Sequence, residues 1–355
     1  SGMSNHCYCV TRHGAPLEHM ENEVPEPKGD EVLIRMTGAG VCHSDIHIWE
    51  GKYDLGGGQE MTLSDRGISL PLTMGHEITG EVVKTGANVS GLEIGAKCVV
   101  YPWLGCGDCP TCQRDEENYC PKQARSLGVF LPGGYAQYVL VPRSKYCIDI
   151  GDLDPAEVAP LACSGVTTYS ALKKLGDKLR QEPVVIIGAG GLGHMALAVL
   201  KAMDGKGAVF VDLDPAKRQA VLDAGALAAV DGGAPDAADQ IKKATGGGAH
   251  MVLDLVGSGS TVELGIASGT KGVQVVVVGL YGGEIKMPTV YFPLRAMAIR
   301  GSYVGNLNEL RELVGLVQAG KLKPVQVTRR KLEEANAALM DLKDGKVIGR
   351  VVLVP

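Results

Sequence analysis

The rhythm of apolar and polar positions changes near residue 155. Before that point, short runs at 31–37, 96–101 and 135–141 read as strands between turns, the last entered through Pro132-Gly133-Gly134. This texture predicts an irregular β-rich region. Beyond it, the runs at 184–187, 208–211, 251–255 and 274–278 are mostly apolar and of strand length. Alanine-rich helical stretches at 195–203 and 216–224 lie between them. Strands without a polar face need cover on both sides, so the alternation predicts a parallel sheet wrapped by helices. Past residue 300, helical segments at 307–319 and 332–343 lead to a final strand at 350–354. The expected architecture is α/β with two domains.

Composition narrows the function classes. The 355 residues are 45% hydrophobic and 21% charged, which excludes a disordered chain. A formal net charge of -5 gives no electrostatic footprint for nucleic acid. The longest apolar stretch, 184–200, is interrupted by Gly188, Gly190, Gly191, Gly193 and His194, so no membrane span is expected. Ser1-Gly2 ahead of Met3 reads as a cloning remnant, and no signal peptide follows it. In a chain of this size without a signal, ten cysteines point to metal binding rather than disulfides, and to a cytoplasmic protein.

Three groups of residues carry chemistry. Gly188-Ala-Gly190-Gly191-Leu192-Gly193 follows a predicted strand and opens a predicted helix. Such a turn brings backbone amides and a helix N-terminus to a pyrophosphate. Asp212 ends the next predicted strand, where a carboxylate can hold both ribose hydroxyls of NAD and repel the extra phosphate of NADP. The plainer reading is a glycine-rich turn with Asp212 as a helix cap. Next, Cys106, Cys109, Cys112 and Cys120 put four thiols on one short loop, enough to close a tetrahedral structural zinc site. An iron–sulfur cluster is the competing reading, opposed by the wide gap before Cys120. Last, Cys42, His76 and Cys163 are scattered, and each alone is as readily a core or hydrogen-bonding residue. Together they suggest a three-ligand catalytic zinc with a fourth position open.

With these motifs in order along the chain, the sequence resembles the zinc-containing alcohol dehydrogenases of the medium-chain dehydrogenase/reductase family. The resemblance rests on Cys42-His43-Ser44-Asp45, Gly75-His76-Glu77 with Gly80 and Gly86, the four-cysteine loop, and Leu161-Ala-Cys163-Ser-Gly-Val-Thr-Thr-Tyr169. It implies a GroES-like β-rich catalytic domain at 1–155 and 300–355, with a Rossmann NAD-binding domain at 156–299. It implies two Zn²⁺ per chain and NAD. Ser44 would be the hydroxyl next to the substrate oxygen and His47 the solvent-side proton acceptor. His43 and Arg350 would contact the pyrophosphate and Lys217 the adenosine ribose, with Val278, Gly279 and Leu280 as further cofactor contacts. Glu77 would be an alternate metal ligand, and Asp45 a partner of the histidine ligand.

The substrate is less legible. Trp49, Trp103 and Leu280 match pocket positions of relatives, though each could be plain core. The segment between Cys42 and His76 is longer than in many relatives, and the extra residues around 54–67 read either as a specificity lid or as a solvated insertion. Within the family, the chain resembles bacterial 6-hydroxyhexanoate dehydrogenases. That likeness rests on His6-Cys-Tyr-Cys-Val-Thr11, Tyr53-Asp-Leu-Gly-Gly-Gly58 with Ser64-Asp-Arg-Gly67, Gly282-Gly-Glu-Ile-Lys286 and Gly301-Ser-Tyr-Val-Gly305. It implies reversible oxidation of a primary alcohol, with Lys52 or Arg66 as a cation for an ω-carboxylate; alone, each reads as solvated surface charge. The partners expected are a small alcohol or aldehyde, without nucleic acid or membrane, and other copies in a homotetramer, or alternatively a homodimer. The rival readings are a zinc-free quinone reductase, a silent scaffold of the same fold, and a polyol or formaldehyde dehydrogenase.

Overall fold

The computed structural model describes residues 3–347 and 349–355; Ser1 and Gly2, read above as a remnant, lie outside the described residues, as does Ile348. The first unit runs β1 (Ser4–Val10), β2 (Glu18–Glu23), β3 (Val32–Val41), α1 (His43–Glu50), β4 (Lys52–Gly56), β5 (Gln59–Thr62), β6 (Leu72–Thr73), β7 (Glu77–Thr85) and β8 (Lys97–Val100). It continues through α2 (Pro110–Gln113), β9 (Tyr138–Val141), β10 (Cys147–Asp149) and α3 (Pro155–Val158). β3 is longer than predicted and nearly continuously buried, because β7, β9 and a late strand all pair with it antiparallel. α1 starts where Cys42 is extended and the Asp45 carboxylate accepts the Cys42 N–H at 3.1 Å. It stops at Gly51, whose positive φ of 79° turns its N–H back to the His47 carbonyl.

The second unit alternates strand and helix: α4 (Ser164–Lys173), β11 (Val184–Ile187), α5 (Gly191–Ala202), β12 (Ala208–Asp212), α6 (Pro215–Asp223), β13 (Ala228–Asp231) and α7 (Ala237–Ala244). Then come β14 (Ala249–Asp254), α8 (Gly259–Ala267), β15 (Gly269–Val277), α9 (Tyr291–Arg295), β16 (Ala298–Gly301) and α10 (Leu307–Gln318). The strands form one parallel sheet in the order β13-β12-β11-β14-β15-β16. The order reverses between β11 and β14, and in such sheets the crevice beyond the strand C-termini at that point takes a dinucleotide.

The chain then returns to the first unit through β17 (Val327–Lys331), α11 (Ala335–Lys343) and β18 (Arg350–Val354), with β18 inserted between β17 and β3. α10 packs on α4, its Leu310, Leu313 and Val314 sharing a buried core with Leu172. At the other boundary, α3 packs on β3 and β7 and belongs to the first unit. Among the described residues no helix is long and apolar enough to cross a membrane.

Candidate active site

Cys42 ends β3, His76 precedes β7, and Cys163 caps α4, so three separate elements bring these side chains together. All three are buried, and with Glu77 their donor atoms lie within 4.8 Å of one another. The Cys42 and Cys163 sulfurs are 3.6 Å apart. That is far beyond the about 2.05 Å of a disulfide. Two thiolates about 2.3 Å from a tetrahedral zinc stand about 3.8 Å apart, so the pair fits zinc. The hydrogen bond from Cys163 holds the Cys42 thiol well below its ordinary pKa, against the opposing effect of burial. His76 has no hydrogen-bond partner at either ring nitrogen, which in a fully buried group calls for a ligand. Its Nδ1 faces Asp45 Oδ1 at 3.4 Å, an arrangement that fixes the ring and leaves Nε2 for a metal. Asp45 is itself fixed by the Tyr135 hydroxyl, which donates to Oδ2 at 2.8 Å. Nothing in the sequence singled out Tyr135 except its place after the Pro132-Gly133-Gly134 turn.

The four-cysteine loop has the same signature. Cys106 and Cys112 sulfurs are 3.9 Å apart, and those of Cys109 and Cys120 are 3.8 Å apart. Backbone amides of Cys109, Cys112 and Cys106 donate to the sulfurs of Cys106, Cys109 and Cys120, which orients the sulfurs toward one point. Buried Glu117 fastens the loop, accepting from Gly105 N–H at 3.1 Å and the Tyr146 hydroxyl at 2.8 Å. Four donors leave no open position, so this group fits a structural metal.

Across the cleft, the glycine turn lies between β11 and α5. Gly188 takes a φ of 109°, and a Cβ on Gly193 would strike the Gly188 carbonyl. Gly190 instead faces open space, the clearance a pyrophosphate needs. Arg350 Cδ would lie 3.4 Å from a Cβ on Gly191, so the guanidinium stem borders the turn. Arg350 Nη2 donates to both Glu77 oxygens at 2.5 Å, while its buried Nε has no partner. Burial raises the Glu77 carboxyl to about 7, with Arg350 opposing. His43 is pushed below its ordinary pKa by burial; Cys42 opposes this, and the Arg350 and Lys217 cations reinforce it. These three basic residues therefore converge on one region. Asp212 ends β12 with its carboxylate on the Ala189 N–H at 2.9 Å, beside the same turn. Leu192 is the second residue of α5. Val278 and Gly279 follow β15 with both N–H groups on the Asp254 carbonyl, and Leu280 beyond them is exposed.

Ser44 and His47 lie three residues apart on α1, hence on one face of it. The His47 ring is 5.0 Å from that of Tyr53, and burial lowers its pKa. Trp103 lies beside His76, its ring 5.0 Å away and its Nε1 donating to the Ala162 carbonyl. Trp49 lies elsewhere. It is two residues beyond His47, on the opposite side of the helix, buried among Val10, Leu17 and Leu339 with Nε1 on the Ala15 carbonyl at 2.6 Å. The aromatic neighbours here are Tyr53, beside His47, and Tyr303, edge-on to Trp103 at 6.1 Å. Arg66 is exposed, and its charge opposes the upward push that burial gives the Tyr53 and Tyr303 hydroxyls. Lys52 is spent on a surface pair with Glu60.

The insertion is ordered. β4 and β5 make a hairpin whose Gly56 and Asp54 sit against Gly283 and Gly282 of the second unit; all three glycines have positive φ. A Cβ on Gly56 or on Gly282 would crowd the opposite backbone, that of Gly283 and of Asp54 respectively. Two motifs far apart in sequence thus meet across the cleft.

Residues 28–152 match the alcohol dehydrogenase GroES-like domain, and residues 191–319 match the zinc-binding dehydrogenase domain. The chain is 39% identical to an NAD-dependent alcohol dehydrogenase of Sulfurisphaera tokodaii, over 96% of this chain and 97% of that one. It is 36% identical to an alcohol dehydrogenase of Geobacillus stearothermophilus, over 95% of both. Among solved structures, the alcohol dehydrogenase of Aeropyrum pernix superposes with a TM-score of 0.88 at 33% identity, covering 99% of this chain and 100% of that one. The D-arabinose dehydrogenase of Sulfolobus solfataricus superposes at 0.84 with 29% identity, covering 99% and 100%. Fold, ligand sets and relatives agree: the chain belongs to the zinc-type alcohol dehydrogenases of the medium-chain dehydrogenase/reductase family.

Proposed function

We propose that this chain is a zinc-dependent, NAD-linked dehydrogenase that reversibly oxidises a primary alcohol to the aldehyde. The observation that carries the reading is the buried meeting of Cys42, His76 and Cys163, facing the glycine turn across the cleft. Cys42, His76 and Cys163 would hold one zinc, and Cys106, Cys109, Cys112 and Cys120 a second. The first would supply Lewis acidity to the substrate oxygen, and NAD the hydride acceptor. Glu77, though close enough to be an alternate ligand, is already committed to Arg350. Two thiolates and a neutral imidazole leave that site near zero net charge, which suits reversible chemistry. Ser44 Oγ accepts the proton of the substrate hydroxyl as it gives up its own, and His47 accepts the relayed proton and releases it to solvent. His43, Lys217 and Arg350 neutralise the pyrophosphate side, and Asp212 selects NAD.

For the substrate, we propose an alcohol with an apolar body and a distal carboxylate, an ω-hydroxy acid. Trp103, Tyr53 and Tyr303 would supply an apolar wall, and Arg66, whose charge acts on both tyrosine hydroxyls, a cation. NADH formation should be measured across simple alcohols, benzyl alcohol, polyols, arabinose and ω-hydroxy acids, with zinc counted per chain. Full zinc without turnover on any of them would sink the dehydrogenase reading. R66A should raise KM for the ω-hydroxy acid and spare the uncharged alcohol of equal length; equal effects would sink carboxylate recognition. We also propose a homotetramer or homodimer, supported by the unpaired edge of β16 beside exposed Tyr281, Val290, Tyr291, Phe292 and Leu294. Sedimentation would test it.

A further inference from the structure

The outer face of the β1–β2 hairpin holds a donor cluster that the alcohol chemistry does not use. The antiparallel register sets His6 opposite Glu21 and Tyr8 opposite His19. His6, His19 and Glu21 therefore share one face, and residues 7 and 9 point inward. His6 Nδ1 is 2.8 Å from His19 Nε2 and 3.5 Å from a Glu21 oxygen. The two imidazoles are stacked, with centroids 5.0 Å apart, and Tyr8 packs against His19 from the side. All three donor atoms lie within 4.8 Å of one another. The His6 backbone N–H is tied to Gln137, which anchors the strand beneath them.

We propose that His6, His19 and Glu21 form a third metal site, for a borderline dication such as Zn²⁺, Ni²⁺ or Cu²⁺. Two imidazole nitrogens and one carboxylate oxygen are the donor set these ions prefer. The spacing fits them. Nitrogens about 2.05 Å from a metal stand about 2.9 Å apart at a right angle and about 3.4 Å apart in a tetrahedron. The pair as placed matches the right angle, and a small ring rotation reaches the tetrahedron. The cluster is solvent-facing, with the His6 side chain 37% and the Glu21 side chain 57% exposed, so water completes the coordination. The alternative is a plain N–H···N hydrogen bond between neutral imidazoles. An ion here would cross-link β2, an edge strand, to β1 and stabilise the native hairpin by mass action.

The test is calorimetric titration of Ni²⁺ into untagged, zinc-replete holoenzyme, with zinc counted before and after. One Ni²⁺ per chain should bind without release of zinc, and the melting temperature should rise with it. H19A should abolish this binding, and E21Q should weaken it on the order of tenfold. Both variants should keep wild-type zinc content and turnover, since neither residue lies near the cleft. If the wild type binds no more Ni²⁺ than the H6A/H19A double variant, the site does not exist. If H19A binds as the wild type does, the ligands are misassigned. Either result overturns the proposal and leaves the dehydrogenase reading standing.

Discussion

Glu77 grips Arg350 through both carboxylate oxygens, and the two are buried together beside the catalytic thiols. The pair ties β7 to β18 and sets the arginine stem against Gly191 of the glycine turn. One ion pair therefore links the metal pocket with the cofactor cleft. R350M should leave a buried carboxylate without its partner and cost about 3–5 kcal/mol in denaturant unfolding. E77Q/R350M should lose less than the two single variants combined. Additive losses would show that the pair is not coupled. KM for NAD should rise in R350M as well, since the Arg350 stem borders the glycine turn.

In the proposed relay Ser44 has one chemical task, so its removal should be costly and narrow. S44A should lower kcat by about 10²–10⁴-fold, with metal content unchanged by atomic spectroscopy. S44T should retain most of the rate. An active S44A enzyme would remove the hydroxyl from the relay.

Burial lowers the His47 pKa. A depressed pKa keeps the ring neutral, and able to accept a proton, to a lower pH than an ordinary histidine. Alcohol oxidation should therefore hold as pH falls through the usual histidine range and decline only below it. H47Q should remove that acid limb and lower the plateau modestly, because water reaches this half-buried position. An unchanged pH profile in H47Q would assign the limb to another group.

Asp212 should set cofactor choice. D212S should raise the NADP-over-NAD ratio of kcat/KM on the order of 100-fold, by removing a charge that opposes the extra phosphate. The ratio is measured under matched ionic strength. No change would move selection to other groups around the ribose.

C112S separates the two metal groups. It should remove one metal equivalent and lower the melting temperature, while kcat per remaining folded molecule stays near wild type at low temperature. A parallel loss of both metals would mean the sites are not independent.

What could be read from the chain depended on how local the signal was. The thiol loop and the glycine turn are contiguous, so residue type and spacing carried them. The strand–helix alternation was equally plain, since buried parallel strands have no polar face. The pocket was harder, because its walls come from α1, the inserted hairpin and the segment after β16. Trp49 matched a pocket position on paper, but a two-residue step on a helix points it to the core. Tyr53, two residues past the Gly51 cap, took the pocket place instead. The meeting of Gly56 with Gly282 and Gly283 is written in positive φ angles that sequence spacing does not reveal.

The late insertion of β18 between β3 and β17 imposes an order on biogenesis. Chains fold as they leave the ribosome, early segments first. The four thiols of the 106–120 loop emerge together and can capture their metal while synthesis continues. Cys42 and His76 emerge early too, but β3 lacks a neighbour, and Glu77 its counter-charge, until the whole dinucleotide unit has been made and Arg350 follows. The two metal centres would thus be filled at different moments, the structural one during translation and the reactive one only after the cofactor cleft exists.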